Sequence, residues 1–174
     1  MHKSILITGL TGSGKSTVCR KLKKIGYKAY NVEEMSGLFK MTDKGTGKRV
    51  IDSDHDNLEA VKRHNWNCDK DKLRWLLRNN LKGIVFYCGT GSNIDDLPSL
   101  FDKTFLLKAN EKTLSKRLNA RNRYGRTPEV QRWIFQGKKS YEDRLCKKGA
   151  TVINANRTVS KIAADIIKRS KSLR

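Results

Sequence analysis

Apolar residues fall into short runs, and between them lie longer stretches whose apolar positions recur every three or four residues. Ser4 to Thr8 reads as a buried strand. Lys15 to Ile25 reads as a helix with Val18, Leu22 and Ile25 inward, Lys21, Lys23 and Lys24 outward, and Gly26 as its stop. Tyr27 to Val32 is a second strand that delivers Glu33 and Glu34 at its C-terminal end. Asp69 to Leu81 carries an N-cap, a Leu73, Leu76 and Leu77 stripe, and a stop at Gly83. The unbroken apolar run Ile84 to Cys88 is the pattern of a strand covered on both faces. Ile94 to Phe101 is expected to be helical, followed by a fourth strand at Lys103 to Leu107. Helices are expected over Asn110 to Arg121 and Thr127 to Lys147, then a fifth strand at Ala150 to Asn154, a helix at Val159 to Arg169 and a frayed tail.

Strands alternating with helices predict an α/β fold, a three-layer sandwich around a five-stranded parallel sheet. The span from 33 to 68 breaks this rhythm. Thr42 to Lys48 reads as a hairpin or loop, Asp52 to Asn57 as an acidic loop, and Asn57 to His64 as a short helix that Trp66 packs against the body. The expectation is one domain over 1–174, with an insertion at the mouth of a site over about 33–68 and a lid over about 117–128.

The chemistry begins at Gly9-Leu10-Thr11-Gly12-Ser13-Gly14-Lys15-Ser16-Thr17, set between a strand and a helix. Gly9, Gly12 and Gly14 let the backbone turn its amides inward into an anion-binding nest. The helix that follows adds unpaired amides and the positive end of its dipole. Lys15 would place its ammonium on the outer phosphates and the Ser16 hydroxyl on a magnesium ion, with Thr17 on the inner phosphate. These features predict a triphosphate site.

Charge changes the picture next. The formal net charge is +21, and residues 103–174 hold 20 Lys/Arg against 5 Asp/Glu. A polyanion partner for this basic C-terminal part is one reading, and a solvated lysine-rich surface is the other. The apolar runs are too short to span a bilayer, so no membrane helix is expected. The N-terminal apolar stretch is the strand entering the phosphate loop, which argues against a cleaved leader and for a cytoplasmic protein. Cys19, Cys68, Cys88 and Cys146 are scattered and His2, His55 and His64 isolated, so no structural zinc is expected, and Cys19 and Cys88 read as buried thiols.

Taken together, the chain resembles the nucleoside monophosphate kinase and shikimate kinase group of P-loop small-molecule kinases, and AAA-type ATP-binding proteins with a similar Cys-Gly-Thr turn. The resemblance implies a strand order of 2-3-1-4-5 and transfer of a phosphoryl group from ATP, with Mg2+, to a small-molecule acceptor: a nucleotide, nucleoside or polyol acid. It places Glu33 and Glu34 at the acceptor, Glu34 also near the metal, and Gly89, Thr90 and Gly91 at an acceptor turn whose middle glycine is here a threonine. Arg117, Arg121, Arg123 and Arg126 match the lid whose arginines contact the transferred phosphoryl group, and Arg144 a further arginine from the next helix. Ala155 to Thr158, including Asn156, match the adenine loop. No Walker B aspartate follows the third strand, so a second metal acid would be Glu33, Glu34, Asp52 or Asp54. The alternative is a nucleic-acid-associated ATPase or polynucleotide 5′-hydroxyl kinase that uses Lys138, Lys139, Lys147 and Lys148.

Overall fold

The computed structural model describes residues 2–79, 82–121 and 124–172. The core sheet contains β1 (His2–Thr8), β2 (Lys28–Asn31), β5 (Gly83–Cys88), β6 (Lys103–Lys108) and β7 (Thr151–Asn154). Its strands are all parallel, in the order β2-β5-β1-β6-β7. Counted within this sheet alone, that is the expected 2-3-1-4-5. Register is set by the period-two alternation of β1, since a one-residue slip would exchange its two faces. Ile5 and Ile7 pack with Val18 and Leu22 of α1 (Lys15–Lys24) and with Ile162, Ala163 and Ile166 of α6 (Val159–Lys171). Leu6 faces the other way, against Leu73 and Leu77 of α3 (Lys70–Arg78) and Leu145 of α5 (Pro128–Lys147). The remaining helices are α2 (Leu58–Arg63) and α4 (Glu111–Asn119), the latter capped by the Asn110 side chain on the Thr113 amide. Cys19 and Cys88 are buried in the first core layer, as expected.

Three expectations change. The insertion keeps its expected short helix, α2, but β3 (Phe39–Asp43) and β4 (His64–Cys68), which were not expected, pair on either side of it as an antiparallel ribbon. Its register pairs Met41 with Trp66, and Phe39 stacks on Trp66 with ring centroids 5.5 Å apart. Ile94 to Phe101 is a pair of 3-10 turns, Ile94–Asp96 and Pro98–Leu100, because Pro98 has no amide hydrogen to continue a helix. The tail is ordered helix through Lys171, held by buried Ser170, whose hydroxyl donates to the Ile166 carbonyl at 2.7 Å. The end of the expected third helix at Leu81 and the last two residues of the tail lie outside the described residues.

Candidate active site

The C-terminal ends of β1, β2 and β5 converge on a cleft of about 1450 Å³. Loop crevices at this edge are where open parallel sheets hold ligands. Leu10 to Thr17 form its floor. Gly12 and Gly14 take positive φ of 81° and 102°, which turns successive amides toward the cleft. A Cβ on Gly9 would lie 2.7 Å from the Leu107 carbonyl oxygen and from Ser13 Oγ, so only glycine fits there. The Ser13 hydroxyl is buried with no hydrogen-bond partner among the described residues, a donor directed into the loop.

Lys15 is buried, at 7% exposure, and its Nζ donates to the carbonyls of Gly9 at 3.0 Å and Leu10 at 3.3 Å. Burial pushes its pKa down, and Glu33, with Oε1 3.8 Å from Nζ, opposes that shift. Glu33 Oε1 also accepts the Thr90 backbone amide at 2.9 Å. This junction explains the Cys-Gly-Thr turn. A Cβ on Gly89 would fall 2.5 Å from Val32 Cγ2 and 3.2 Å from Glu33 Cγ, so glycine lets the turn after β5 lie against the turn after β2.

Tyr141, which the sequence did not single out, places its hydroxyl 3.0 Å from Thr90 Oγ1 and 3.2 Å from Thr8 Oγ1. It thereby ties α5 to the strand ends on both sides of the phosphate loop. Burial pushes its pKa up to about 12, so it is a neutral phenol at neutral pH. Asn31 was also missed. Its Nδ2 donates to Ser16 Oγ at 3.3 Å, orienting the hydroxyl expected to hold a metal.

The arginines divide. Arg117 lies beside the phosphate loop, with Nη1 3.1 Å from the Ser13 carbonyl oxygen and 3.4 Å from that of Gly12, while Nη2 donates to the Ala155 carbonyl at 2.9 Å. It lines the cleft and braces the loop to the turn after β7. Arg121 lines the cleft too and contacts Thr11 Oγ1 and the Tyr124 carbonyl. Arg126 does not line it; its guanidinium pairs with Asp56 at 3.2 Å. Arg144 is turned to Asp95 at 2.9 Å, Asn156 Oδ1 accepts the Asn110 amide at 3.0 Å, and neither lines the cleft. Arg123 lies outside the described residues.

The outer wall was not anticipated. Met41, His64 and Trp66 of the ribbon face the cleft, with Ser53, Tyr124 and Trp133 nearby. The ribbon is locked to the turn after β5: Ser92 donates its amide to the Trp66 carbonyl at 2.7 Å, and its hydroxyl accepts the Trp66 amide at 2.9 Å. The Asn93 side chain makes the equivalent pair of bonds to Cys68, each at 2.9 Å. Val61 of α2 packs on Val130 and Ile134 of α5, and the His55 and Tyr124 rings stand 6.3 Å apart, so insertion and lid segments meet over the cleft.

No curated protein matches the sequence. Among solved structures, a deoxyadenosine kinase from M. mycoides with bound dATP superposes with a TM-score of 0.57 at 16% identity, covering 97% of this chain and 100% of that one. TT1252 from Thermus thermophilus superposes with a TM-score of 0.64 at 20% identity, covering 100% of both chains. These likenesses establish the fold. The sequence itself matches the AAA domain model over residues 5–135, well over half its length, and the chain belongs to that family of P-loop NTPases.

Proposed function

We propose that the protein is a kinase that transfers the terminal phosphoryl group of ATP to a hydroxyl of a nucleoside or nucleotide acceptor. The observation that carries this reading is the meeting of donor and acceptor machinery at one point. Lys15 of the phosphate loop and the Glu33–Thr90 pair beyond it share a single cleft, with Glu33 Oε1 3.8 Å from Lys15 Nζ. A nucleotide-binding switch or regulator needs the loop alone; an acid held opposite its lysine is what a transfer reaction uses to orient an attacking hydroxyl.

Each group has a role under this reading. The nest of amides and the unpartnered Ser13 hydroxyl hold the triphosphate. Lys15 exchanges its backbone carbonyl partners for phosphate oxygens and stabilises charge on the transferred group. Glu33, fixed by the Thr90 amide, accepts the hydrogen bond of the acceptor hydroxyl. Arg121, beside Thr11, lies within reach of the same charge, and Arg117 fixes the loop by its carbonyls. Thioether and indole surfaces at Met41 and Trp66 form a wall suited to a planar ring. The M. mycoides neighbour, a deoxyadenosine kinase, points to the same acceptor class over a polyol acid.

The residues fit a magnesium ion. Ser16 Oγ is oriented by Asn31 and Glu34 lines the same cleft, while no cluster of three or more acidic, histidine or cysteine side chains occurs among the described residues. That donor set suits an ion held largely through substrate phosphates and water. When bound there, the ion supplies neutralisation of phosphate charge.

The test is transfer of label from γ-labelled ATP to a panel of nucleosides, nucleoside monophosphates and polyol acids. A labelled nucleoside or nucleotide product that disappears in Lys15→Ala is expected. Label appearing only in inorganic phosphate overturns the proposal in favour of a simple ATPase.

A further inference from the structure

We propose that the surface formed by α1 and α6 is a binding face for the phosphate backbone of a double-stranded nucleic acid, read without regard to sequence. The two helices pack side by side on one face of the sheet. Their outward positions carry Arg20, Lys21, Lys23 and Lys24 from α1, and Lys161, Lys168, Arg169 and Lys171 from α6. Asp165 is the lone carboxylate of the two helices, and it is taken by Arg157 at 2.7 Å and Arg169 at 2.6 Å. The other seven cations make no ion pair among the described residues.

The opposite side of the sheet is the control within the same molecule. There acids are interleaved with the cations: Lys70 pairs with Asp96, Arg74 with Asp71, Arg132 with Glu129, Lys138 with Glu142 and Arg144 with Asp95, while Lys72, Arg78, Lys139 and Lys147 make no ion pair among the described residues. Unpaired cations occur on both sides, but α3 and α5 intersperse theirs with Asp71, Glu129, Glu142 and Asp143, whereas α1 and α6 hold Asp165 alone. Folding gathers the denser cluster from two distant stretches of the chain onto one face, away from the α5 cluster that the sequence suggested.

The partner follows from what the face lacks. The larger apolar residues of both helices point inward: Val18, Leu22, Ile162 and Ile166, with Ala163, are at most 3% exposed, Val159 and Ile167 are half-buried, and only Ala164 is exposed. The one large apolar side chain left exposed beside them is Ile25, at 44%, too little to insert into a bilayer. The outward positions of the two helices also carry no aromatic side chain for base stacking, the means by which single strands are held. Backbone contact alone favours the form with the densest charge. Helices of 10 and 13 residues span about 15 and 20 Å, a length of duplex bearing about 12 phosphates. Contact with about half of them predicts a slope of log K against log salt near −5. Arg20 and Lys23 also line the edge of the cleft, so the face runs up to the mouth of the nucleotide site.

Fluorescence anisotropy with a labelled 20-base-pair DNA duplex, the matching RNA duplex and the single strand, all without ATP, tests this. The full-length protein is expected to bind both duplexes tighter than the single strand, with a steep salt dependence. The quadruple variant Lys21→Glu, Lys24→Glu, Lys168→Glu, Lys171→Glu should bind at least about 100-fold more weakly and lose about 3 units of salt slope. A variant with the same charge change elsewhere (Lys112→Glu, Lys139→Glu, Lys147→Glu, Lys148→Glu) should stay within about 5-fold of wild type, and both should bind ATP and melt as the wild type does. Equal loss in the two variants, absent duplex binding at physiological salt, or tighter binding to phosphatidylserine vesicles than to duplex overturns the proposal. Because no nucleotide turnover is measured, the outcome is independent of the kinase reading.

Discussion

The sharpest local test is Tyr141→Phe, which removes one oxygen and leaves the ring. In the folded protein that oxygen satisfies Thr90 Oγ1 at 3.0 Å and Thr8 Oγ1 at 3.2 Å. The two losses are unequal. Thr8 is 0% exposed, so its hydroxyl would be left without water or partner, at a cost of about 1–3 kcal/mol. Thr90 is half-buried at the cleft and regains water, which reduces its share to a few tenths. Urea unfolding should therefore show a loss of about 1.5–2.5 kcal/mol with an unchanged m-value. Thr8→Val in the Tyr141→Phe background removes the stranded hydroxyl, so the double variant should recover about 1 kcal/mol relative to additivity. The catalytic consequence is separable: Thr8 precedes the phosphate loop and the Thr90 amide holds Glu33, so kcat should fall about 10-fold or more with little change in the KM for ATP. Additive single variants, or a Tyr141→Phe protein of wild-type stability and kcat, would refute the reasoning.

Other outcomes follow from the same structure. Gly89→Ala puts a methyl group 2.5 Å from Val32 Cγ2, and should cost about 1–3 kcal/mol and disturb Glu33, seen as a kcat loss larger than the change in ATP affinity. Trp66→Leu should raise the KM for the acceptor about 10-fold or more while leaving that for ATP unchanged, and an effect on ATP alone would move the acceptor elsewhere. Asp43 is held down to about 2 by the Thr46 amide and by the Arg63 guanidinium. Its folded pKa lies below the ordinary value of about 3.9, so the turn it closes is stabilised above that pH and loosens as pH falls toward about 2. Exchange of the Gly45 and Thr46 amides should accelerate over that interval, and Asp43→Asn should abolish the pH dependence. Burial lowers the Lys15 pKa in the free protein, and phosphate restores the charge. ATP binding in alkaline buffer should therefore take up a proton, detectable by calorimetry in buffers of different ionisation enthalpy and lost in Lys15→Met.

Local signals carried the phosphate loop and the alternating strands and helices into the structure with small shifts of boundary. Glu33 and Thr90 were also within reach of sequence, since both follow adjacent parallel strands and the shared edge of such a sheet brings them together. The ribbon was not. Met41 and Trp66 pair across 24 intervening residues that include a helix, and the polar residues alternating with them read as loop until the partner strand is known. Arg117 looked like a lid residue because its spacing with Arg121 and Arg126 resembles one, but α4 runs beside the phosphate loop and carries its guanidinium to carbonyls of the loop. Tyr141 stayed hidden for a related reason. An apolar stripe on a helix shows which face is inward, and only the fold shows that this tyrosine's tip meets two threonines.

The central claim is that donor and acceptor occupy one cleft, facing each other across Lys15 and Glu33. The most direct measurement is the affinity of a conjugate joining a nucleoside 5′ oxygen to adenosine through four phosphates. If both halves are seated at once, it should bind at least about 100-fold tighter than ATP, as linked ligands do when both sites are engaged, and Trp66→Leu should remove most of that gain. An affinity equal to that of ATP, unchanged by Trp66→Leu, would contradict the account.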